Sequence, residues 1–405
     1  MTKQKILLLG GSAQQVVAIE TSKRMGYYTV LCDYLPDNPG QYVADKYYNV
    51  STTDVEAVYG VARKEGVSGI LAYASDPAAL PAAIVSERLG LPTNPSKSVE
   101  ILGVKHLWRN FLQNNGFACP GNFTIHPDTP LEEIMSKMQS LRFPVVIKPT
   151  DSSGSKGVTV LENPHGLQDA VCRAGLYSRN KILIVEELIH RGFPYLIGGD
   201  IFVWQGKIML FGEMACMRDD KGTGLIPIGK KKPSGLNDNQ KENVHAELQR
   251  MITRLGVKFG EFNIEVLLDD QDNVHFLELG PRAGGNMIPI QLSDAFGVDL
   301  VKANVSAAMG CNPELELDEK PGCYFTYVLH SHSDGMFKGV DFSEEIAGNV
   351  YRKVLYKKCG DRVEAFDGAG KAIGIVFMHS DTEHEMNHIC ARLDELIKVK
   401  VDDGE

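Results

Sequence analysis

Two glutamates, Glu265 and Glu278, lie in alternating apolar stretches on either side of the polar segment Asp269-Asp270-Gln271-Asp272-Asn273. Such a segment between two strand patterns reads as a β-hairpin. Its centre is midway between the two acids, so a symmetric hairpin pairs Glu265 directly with Glu278. Like charges placed opposite each other destabilise a sheet. A divalent cation between them reverses the sign of that interaction, and carboxylate oxygens suit Mg²⁺ (or Mn²⁺) in company with phosphates. The same register pairs Leu267 with Phe276 on the acidic face and turns Phe262, Ile264, Val266, Leu268, Leu277 and Leu279 the other way. One face then reads as core and the other as the mixed acidic and apolar surface of a nucleotide site. The competing reading is two glutamates on a solvated sheet face, since structural charges also cluster.

Upstream lie residues suited to phosphate. The apolar run Pro144–Pro149 carries Lys148, and Asp151-Ser152-Ser153-Gly154-Ser155-Lys156-Gly157 leads from it into the strand pattern Val158–Leu161. A glycine and serine loop between antiparallel strands can fold over phosphates, because backbone N–H groups, hydroxyls and a lysine all serve as donors. The spacing is not that of a P-loop and no helix follows the last glycine. An ordinary flexible hairpin is the alternative. The strand pattern Ile182–Val185 runs into Glu186-Glu187-Leu188-Ile189, two acids that alone read as a solvated strand end. Lys105 stands in a helix-rich link between Pro95 and Pro120.

These residues need a scaffold, and the N-terminal third describes one. Lys5–Leu9, Tyr28–Cys32 and Gly69–Tyr73 read as buried strands, Gln14–Met25 and Pro77–Leu89 as helices. Repeated βα units imply a parallel, doubly wound sheet. The Gly10-Gly11-Ser12 turn with Asp33 beyond it invites a dinucleotide reading, yet no third glycine follows at the required spacing. A tight strand-to-helix connection, lining a substrate site at the strand ends, is the simpler account. Towards the C-terminus, Cys323–His330, Tyr351–Lys357 and Ile373–Phe377 read as strands and Thr382–Lys398 as a helix, a small α+β unit. His379, His384 and His388 raise a metal reading there, set against an ordinary solvated helix face.

Composition narrows the class. A chain of 405 residues exceeds the size at which one core keeps growing, so two or three domains are expected. A net charge of −10 argues against a nucleic-acid surface. The 8 cysteines are scattered without a C-x-x-C, which suits reduced thiols and neither a disulfide framework nor a zinc site. The apolar run Ile6–Leu9 is too short for a signal peptide or a membrane span. A cytoplasmic protein with no nucleic-acid or membrane partner is expected.

In order along the chain, Lys105, Lys148-Pro149, the 152–158 loop, Glu186-Glu187, Glu265, Glu278 and Arg282 with Gly284-Gly285 resemble the ATP-grasp superfamily of carboxylate–amine ligases. The resemblance implies a mixed α/β and α+β fold. Residues 1–104 would form a doubly wound parallel-sheet domain, 105–310 the ATP-grasp nucleotide-binding domain, and 311–405 an α+β extension serving as lid or dimer contact. It implies ATP and Mg²⁺ as cofactors. Lys105 and Lys148 would hold the α- and β-phosphates, and the loop with Ser153, Ser155, Lys156 and Gly157 would close over the β- and γ-phosphates. Glu186 with the backbone of Glu187, Leu188 and Ile189 would read adenine, with Phe276 nearby. Glu265 and Glu278 would hold the metal, and Arg282 would stabilise charge on the transferring phosphoryl group. Gly284, Gly285, Asn286 and Arg218 would face the substrates.

Two departures stand out. Gly280 occupies the place where many members carry Asn, so water or Asn286 would supply the third metal ligand. No acid stands near Arg191–Leu196 for the ribose hydroxyls, leaving Asp200 or a backbone group. The implied chemistry is phosphorylation of a carboxylate by ATP followed by attack of an amine, and the resemblance favours the amino-acid or dipeptide ligase branch. Bicarbonate-using purine-pathway or carbamoyl-phosphate-type chemistry is an alternative, as is a nucleotide-binding regulator without catalysis. The segment Asp219–Gly235, with Lys230, Lys231 and Lys232, reads either as a mobile lid or as a plain surface loop. A homodimer is the commonest oligomer.

Overall fold

Four apolar runs, β1 (Lys5–Leu9), β2 (Tyr28–Asp33), β3 (Lys46–Asn49) and β4 (Gly69–Leu71), form a parallel sheet in the order β3-β2-β1-β4. They are seen in the computed structural model, which describes residues 3–152, 156–219 and 226–402. Side chains alternate between its two faces. Leu7, Leu9 and Val30 pack against Val58 of α2 (Val55–Glu65) and Val85 of α3 (Asp76–Leu89). Ile6, Leu8 and Leu31 meet Ile19 of α1 (Val16–Arg24) together with Val301 and Val305, far downstream in sequence. The expected doubly wound unit is present, with strand β3 and helix α2 added. One of its faces is closed by a helix that the chain supplies only after residue 300.

Helices α4 (Ser96–Gly103) and α5 (Lys105–Asn114) lead to a small antiparallel sheet. Its strands are β5 (Asn122–Ile125), β6 (Val145–Pro149), β7 (Thr159–Leu161) and β8 (Leu183–Glu187), in the order β5-β8-β6-β7. Helices α6 (Leu131–Met138) and α7 (Leu167–Tyr177) back it through Ile134, Val171, Ile147 and Val185.

The next strands are β9 (Leu196–Trp204), β10 (Lys207–Arg218), β11 (Pro227–Lys232), β12 (Phe259–Leu268) and β13 (Val274–Gly280). After helices α9 (Ile288–Phe296) and α10 (Leu300–Ala308) come β14 (Cys323–Leu329), β15 (Gly335–Phe342), β16 (Val350–Leu355), β17 (Arg362–Val363), β18 (Gly374–Ser380) and β19 (Ile397–Asp402). Among the described residues they build an eight-stranded sheet, β13-β12-β9-β10-β11-β14-β18-β16, and a three-stranded one, β17-β15-β19. Helix α8 (Asp238–Leu255) starts on a capping box made by Asn237 and Gln240 and stops at left-handed Gly256. Its buried stripe Val244, Leu248, Met251, Ile252 and Leu255 packs on Ile264, Val266 and Phe276 of the sheet, together with Trp108 and Leu112 of α5.

Three expectations change. Residues 227–232 are strand β11 in mid-sheet, with Lys230 and Lys231 only 8% and 6% exposed, and are therefore not a lid. A Cβ on Gly229 would come within 2.2 Å of the Thr326 carbonyl oxygen, so glycine is what lets β11 lie close to β14. Of the expected lid, residues 220–225 fall outside the described residues. The sheet runs without a break through the expected boundary at residue 310, so that β14, β18 and β16 continue the large sheet. The helix expected over 382–398 is two, α11 (Glu383–Cys390) and α12 (Leu393–Leu396), followed by a strand.

Phe276 lies in the core under α8 at 1% exposure. Phe276→Ala should therefore lower the unfolding free energy by about 3–5 kcal/mol. Urea denaturation reads this directly, and a loss below about 1 kcal/mol would place the ring outside a packed core.

Candidate active site

The β12–β13 hairpin pairs Glu265 with Glu278, as its symmetry predicts, but the register shifts immediately afterwards. Val266 pairs with Phe276 and Leu267 with His275, where a regular ladder would have joined Leu267 to Phe276. A bulge of this kind places successive residues on one face. Leu277 thus joins Glu278 on the open face, where it packs with Ile189, Leu196, Cys216 and Leu267, while Phe276 turns into the core. The apolar floor of the cleft is made of aliphatic side chains, and the assignment of Phe276 to the nucleotide is overturned. Neither glutamate has a hydrogen-bond or salt-bridge partner among the described residues. Burial pushes the Glu278 carboxyl above the usual range; Glu265 and Asp76 add to this and Lys105 opposes it.

A cavity of about 310 Å³ next to the pair brings together Lys105, Lys156, Arg179, Asp76, Glu278 and Gly280. Lys105, in the first turn of α5, donates from Nζ to the Ser152 carbonyl oxygen at 2.6 Å. Gly157 closes the loop at φ +74°, and a Cβ there would meet Tyr177 at 3.0 Å and Pro149 at 3.1 Å. Ser153 and Ser155 lie outside the described residues.

Glu186 sits in a buried ion-pair cluster. Its carboxylate accepts from Arg109 Nε at 2.9 Å and Nη2 at 3.2 Å, and it also pairs with Lys148. Arg109 is 1% exposed and donates further to the carbonyl oxygen of Phe276 at 3.1 Å. Burial works against the charge on Glu186, yet Arg109 and Lys148 hold its pKa down to about 2. Burial also lowers Lys148, with Arg109 and Lys105 adding to the effect against the pull of Glu186. Glu187 points outward to Arg142, and its N–H bonds Gly121 O at 2.9 Å. The Leu188 N–H bonds Pro144 O at 2.8 Å. These amides are committed to the fold, so an adenine edge would have to use other groups of the segment. Arg109 was not foreseen, although a charge on the stripe between Trp108 and Leu112 must find a buried partner.

Arg282 is clamped by the N-terminal domain. Its Nε and Nη2 donate to Asp76 at 2.6 and 2.8 Å, and Nη1 donates to the Ala283 carbonyl at 3.0 Å. Burial opposes its charge, and Asp76 holds the guanidinium above the ordinary arginine range. Gly280 borders this pair: a Cβ there would sit 3.4 Å from both Arg282 Cζ and Asp76 Oδ1, at ordinary contact distance. Gly284 gives its N–H to Asp200 at 2.8 Å, leaving none for a substrate. Asp200, fully buried, also accepts from Asn263 at 2.8 Å and hydrogen-bonds Glu261, so it cannot reach ribose hydroxyls. Burial first, then the Asp200 charge, pushes Glu261 well above the usual carboxylate range. Asn286 donates its N–H to Gln14 at 2.6 Å, joining this loop to the turn after β1.

In that turn Asp33 accepts from the N–H groups of Gly11 at 2.7 Å and Leu35 at 2.8 Å, and Gln15 accepts from Ser12 N–H at 2.8 Å. The acid and amides that a dinucleotide would need are spent on the turn itself. On the sheet, Lys230 Nζ lies 2.7 Å from Cys216 Sγ and reaches over Gly198, where a Cβ would come within 2.4 Å of it. Arg218 borders a separate cavity of about 680 Å³ lined by Lys231, Tyr195 and Asn387. His388 faces Glu345 and Arg392 at the surface rather than His379 and His384.

A cleft between a small antiparallel sheet and a larger one, floored by aliphatic side chains and walled by lysines and paired carboxylates, is the arrangement expected of an ATP-grasp protein. The sequence model of the carbamoyl-phosphate synthase L chain ATP binding domain matches residues 113–316, and the chain belongs to this family. It is 22% identical over 344 residues to the carbamoyl phosphate synthase large chain of Thermotoga maritima, covering 80% of this chain and 30% of that one. The chain thus spans about a third of that relative's length. Its fold is similar to the L-amino acid ligase from Bacillus licheniformis, with a TM-score of 0.81, 19% identity, and coverage of 99% of this chain and 100% of that one. It also resembles the biotin carboxylase domain of Hydrogenobacter thermophilus 2-oxoglutarate carboxylase, in complex with MgADP and bicarbonate, at a TM-score of 0.77 and 17% identity. That match covers 99% of this chain and 92% of the other. Among the described residues, no helix is long and apolar enough to cross a membrane.

The Glu186 network has a pH signature. Its folded pKa of about 2 lies below the ordinary value of about 4.3, so its stabilisation is complete above the latter and is lost as pH falls toward the former. Glu186→Gln strands Arg109 and should cost about 3–5 kcal/mol at neutral pH. Urea midpoints across an acid series should show the gap to wild type narrowing below about pH 4. A gap that stays constant down to about pH 2 would mean the carboxylate is not held by these cations.

Proposed function

We propose that the protein is an ATP-dependent ligase that activates a substrate carboxylate as an acyl phosphate and joins it to an amine, an amino acid, releasing ADP and phosphate. The observation that carries this reading is the Glu265–Glu278 pair, two facing carboxylates with no hydrogen-bond or salt-bridge partner among the described residues, beside Lys105, Lys156 and the clamped Arg282. The donor set fits Mg²⁺, since a divalent ion between the two oxygens relieves the repulsion that burial sharpens. Held by Glu265 and Glu278, Mg²⁺ would neutralise phosphate charge when bound.

A free carboxylate is a poor electrophile. Attack of its oxygen on the γ-phosphorus breaks the bond to ADP and supplies a leaving group. The amine nitrogen then attacks the acyl carbon, phosphate departs with the bonding pair, and the amine gives up a proton. Little covalent work falls to the protein, which positions the reactants and meets the charge that develops. Lys105, Lys148 and Lys156 present cations to the phosphates. Asp76 fixes the guanidinium plane of Arg282, which has more N–H groups than its three bonds use and so keeps donors for a phosphoryl oxygen. The choice of an amino acid rests on Glu278-Leu279-Gly280-Pro281-Arg282 and on the likeness to an L-amino acid ligase. Small-molecule substrates, cytoplasmic location and a homodimer complete the reading.

Two sets of measurements bear on it. Glu278→Gln should abolish ADP formation with an unchanged melting temperature, because it removes charge and not volume. Near-normal turnover would remove the metal role. Arg282→Lys should lower kcat by about 100-fold, more than it raises KM for ATP, since an ammonium cannot reproduce the fork. An ADP-release screen of carboxylates crossed with amines, with product masses, tests the activity itself. Amide products support ligation, whereas release that depends on bicarbonate alone would assign carboxyphosphate chemistry.

A further inference from the structure

Outside the cleft, the ends of β10 and β14, separated in the sheet by β11, bring Asp219 together with His330 and His332, which lie far downstream of it in sequence. Each offers one ligand atom, and the three atoms lie within 4.8 Å of one another. His330 is 7% exposed, with its ring stacked on Phe366 at a centroid distance of 4.5 Å and its Nδ1 2.7 Å from the Val328 carbonyl oxygen. That carbonyl can only accept, so it fixes the proton on Nδ1 and leaves the Nε2 lone pair for a ligand, the arrangement that orients metal-binding histidines. His332 stands edge-on to His330 at 5.0 Å, with Nδ1 3.8 Å from Asp219 Oδ2. Two imidazoles and a carboxylate converge, one of the rings oriented by the backbone and packing rather than by solvent.

We propose that Asp219, His330 and His332 bind a divalent transition metal of the zinc or ferrous class, at a site separate from the Glu265–Glu278 pair. Imidazole nitrogen suits Zn²⁺, Fe²⁺ and Co²⁺, whereas Mg²⁺ prefers oxygen donors throughout, so the two sites sort their ions by ligand chemistry. Three protein ligands leave the coordination open for water or a small anion. Asp219 also lines the cavity of about 680 Å³ that holds Arg218 and Lys231, cations that favour an anionic ligand there. A metal at this point would pin the end of β10 to the end of β14.

The test uses the full chain, stripped with chelator and titrated with Co²⁺ in excess Mg²⁺, so that the oxygen site is not the one being read. Stoichiometric binding with visible d–d absorption, displaced by Zn²⁺, is expected. His332→Ala changes a side chain that is 44% exposed and should leave the circular dichroism unaltered while abolishing the absorption. Asp219→Asn should weaken Co²⁺ binding by at least about 10-fold. Glu278→Gln should leave the absorption in place. Absence of saturable binding, absorption that survives His332→Ala, or absorption lost in Glu278→Gln would each overturn the site.

Discussion

The buried cluster of Arg109, Glu186 and Lys148 sets the geometry on which the cleft depends. Taking such charges out of water is expensive, and the cost is recovered only when every partner is in place. Here Arg109 comes from α5, Glu186 from β8 and Lys148 from β6, while the remaining guanidinium donors bond the carbonyl oxygens of Phe276 and Leu277 on β13. The small sheet and the edge of the large sheet are thus tied through one side chain. A slip of either sheet would leave a charge buried and unpaired. The two walls of the cleft are held in register by that penalty, with Glu186 at their junction.

A second constraint is local. The bulge after Glu265 gives β13 one residue more than β12 needs, so Leu277 and Glu278 share a face. Without it Leu277 would point into the core, and the aromatic ring of Phe276 would stand in the cleft. The floor made of Ile189, Leu196, Leu267 and Leu277 is flat and aliphatic as a result. Beside it Gly198 leaves the gap through which Lys230 reaches Cys216, adding a buried cation to the open face of the sheet.

The N-terminal sheet is part of the same machine. Its inner face is completed by α10, and its loops deliver Asp76 to Arg282 and Gln14 to Asn286. Asp76 and Arg282 are 206 residues apart, yet their bidentate pair borders the cavity that contains Glu278. Gly280 lies directly beside this ion pair.

Local pattern alone determined much of this molecule. The βα alternation located the parallel sheet because each strand is buried on both faces and each helix on one. The hairpin symmetry predicted the Glu265–Glu278 pair because two short strands joined by a tight turn have few registers available. Lys148 and Glu186-Glu187 stood out for a similar reason, each lying near the end of a recognisable strand. What the tertiary structure decided are the partners. Whether Glu186 meets a base or Arg109, whether Asp200 meets a ribose or Gly284, and whether Asp33 meets a cofactor or its own turn depends on which distant group arrives first at a buried acceptor. Strand β11 was hidden because a Gly–Lys run becomes a strand only when neighbours on both edges accept its backbone. Asp219, His330 and His332 were silent in the sequence because their spacing is set by the strand that lies between them. Local periodicity encodes which face a residue takes, and only the assembled fold decides what waits on that face.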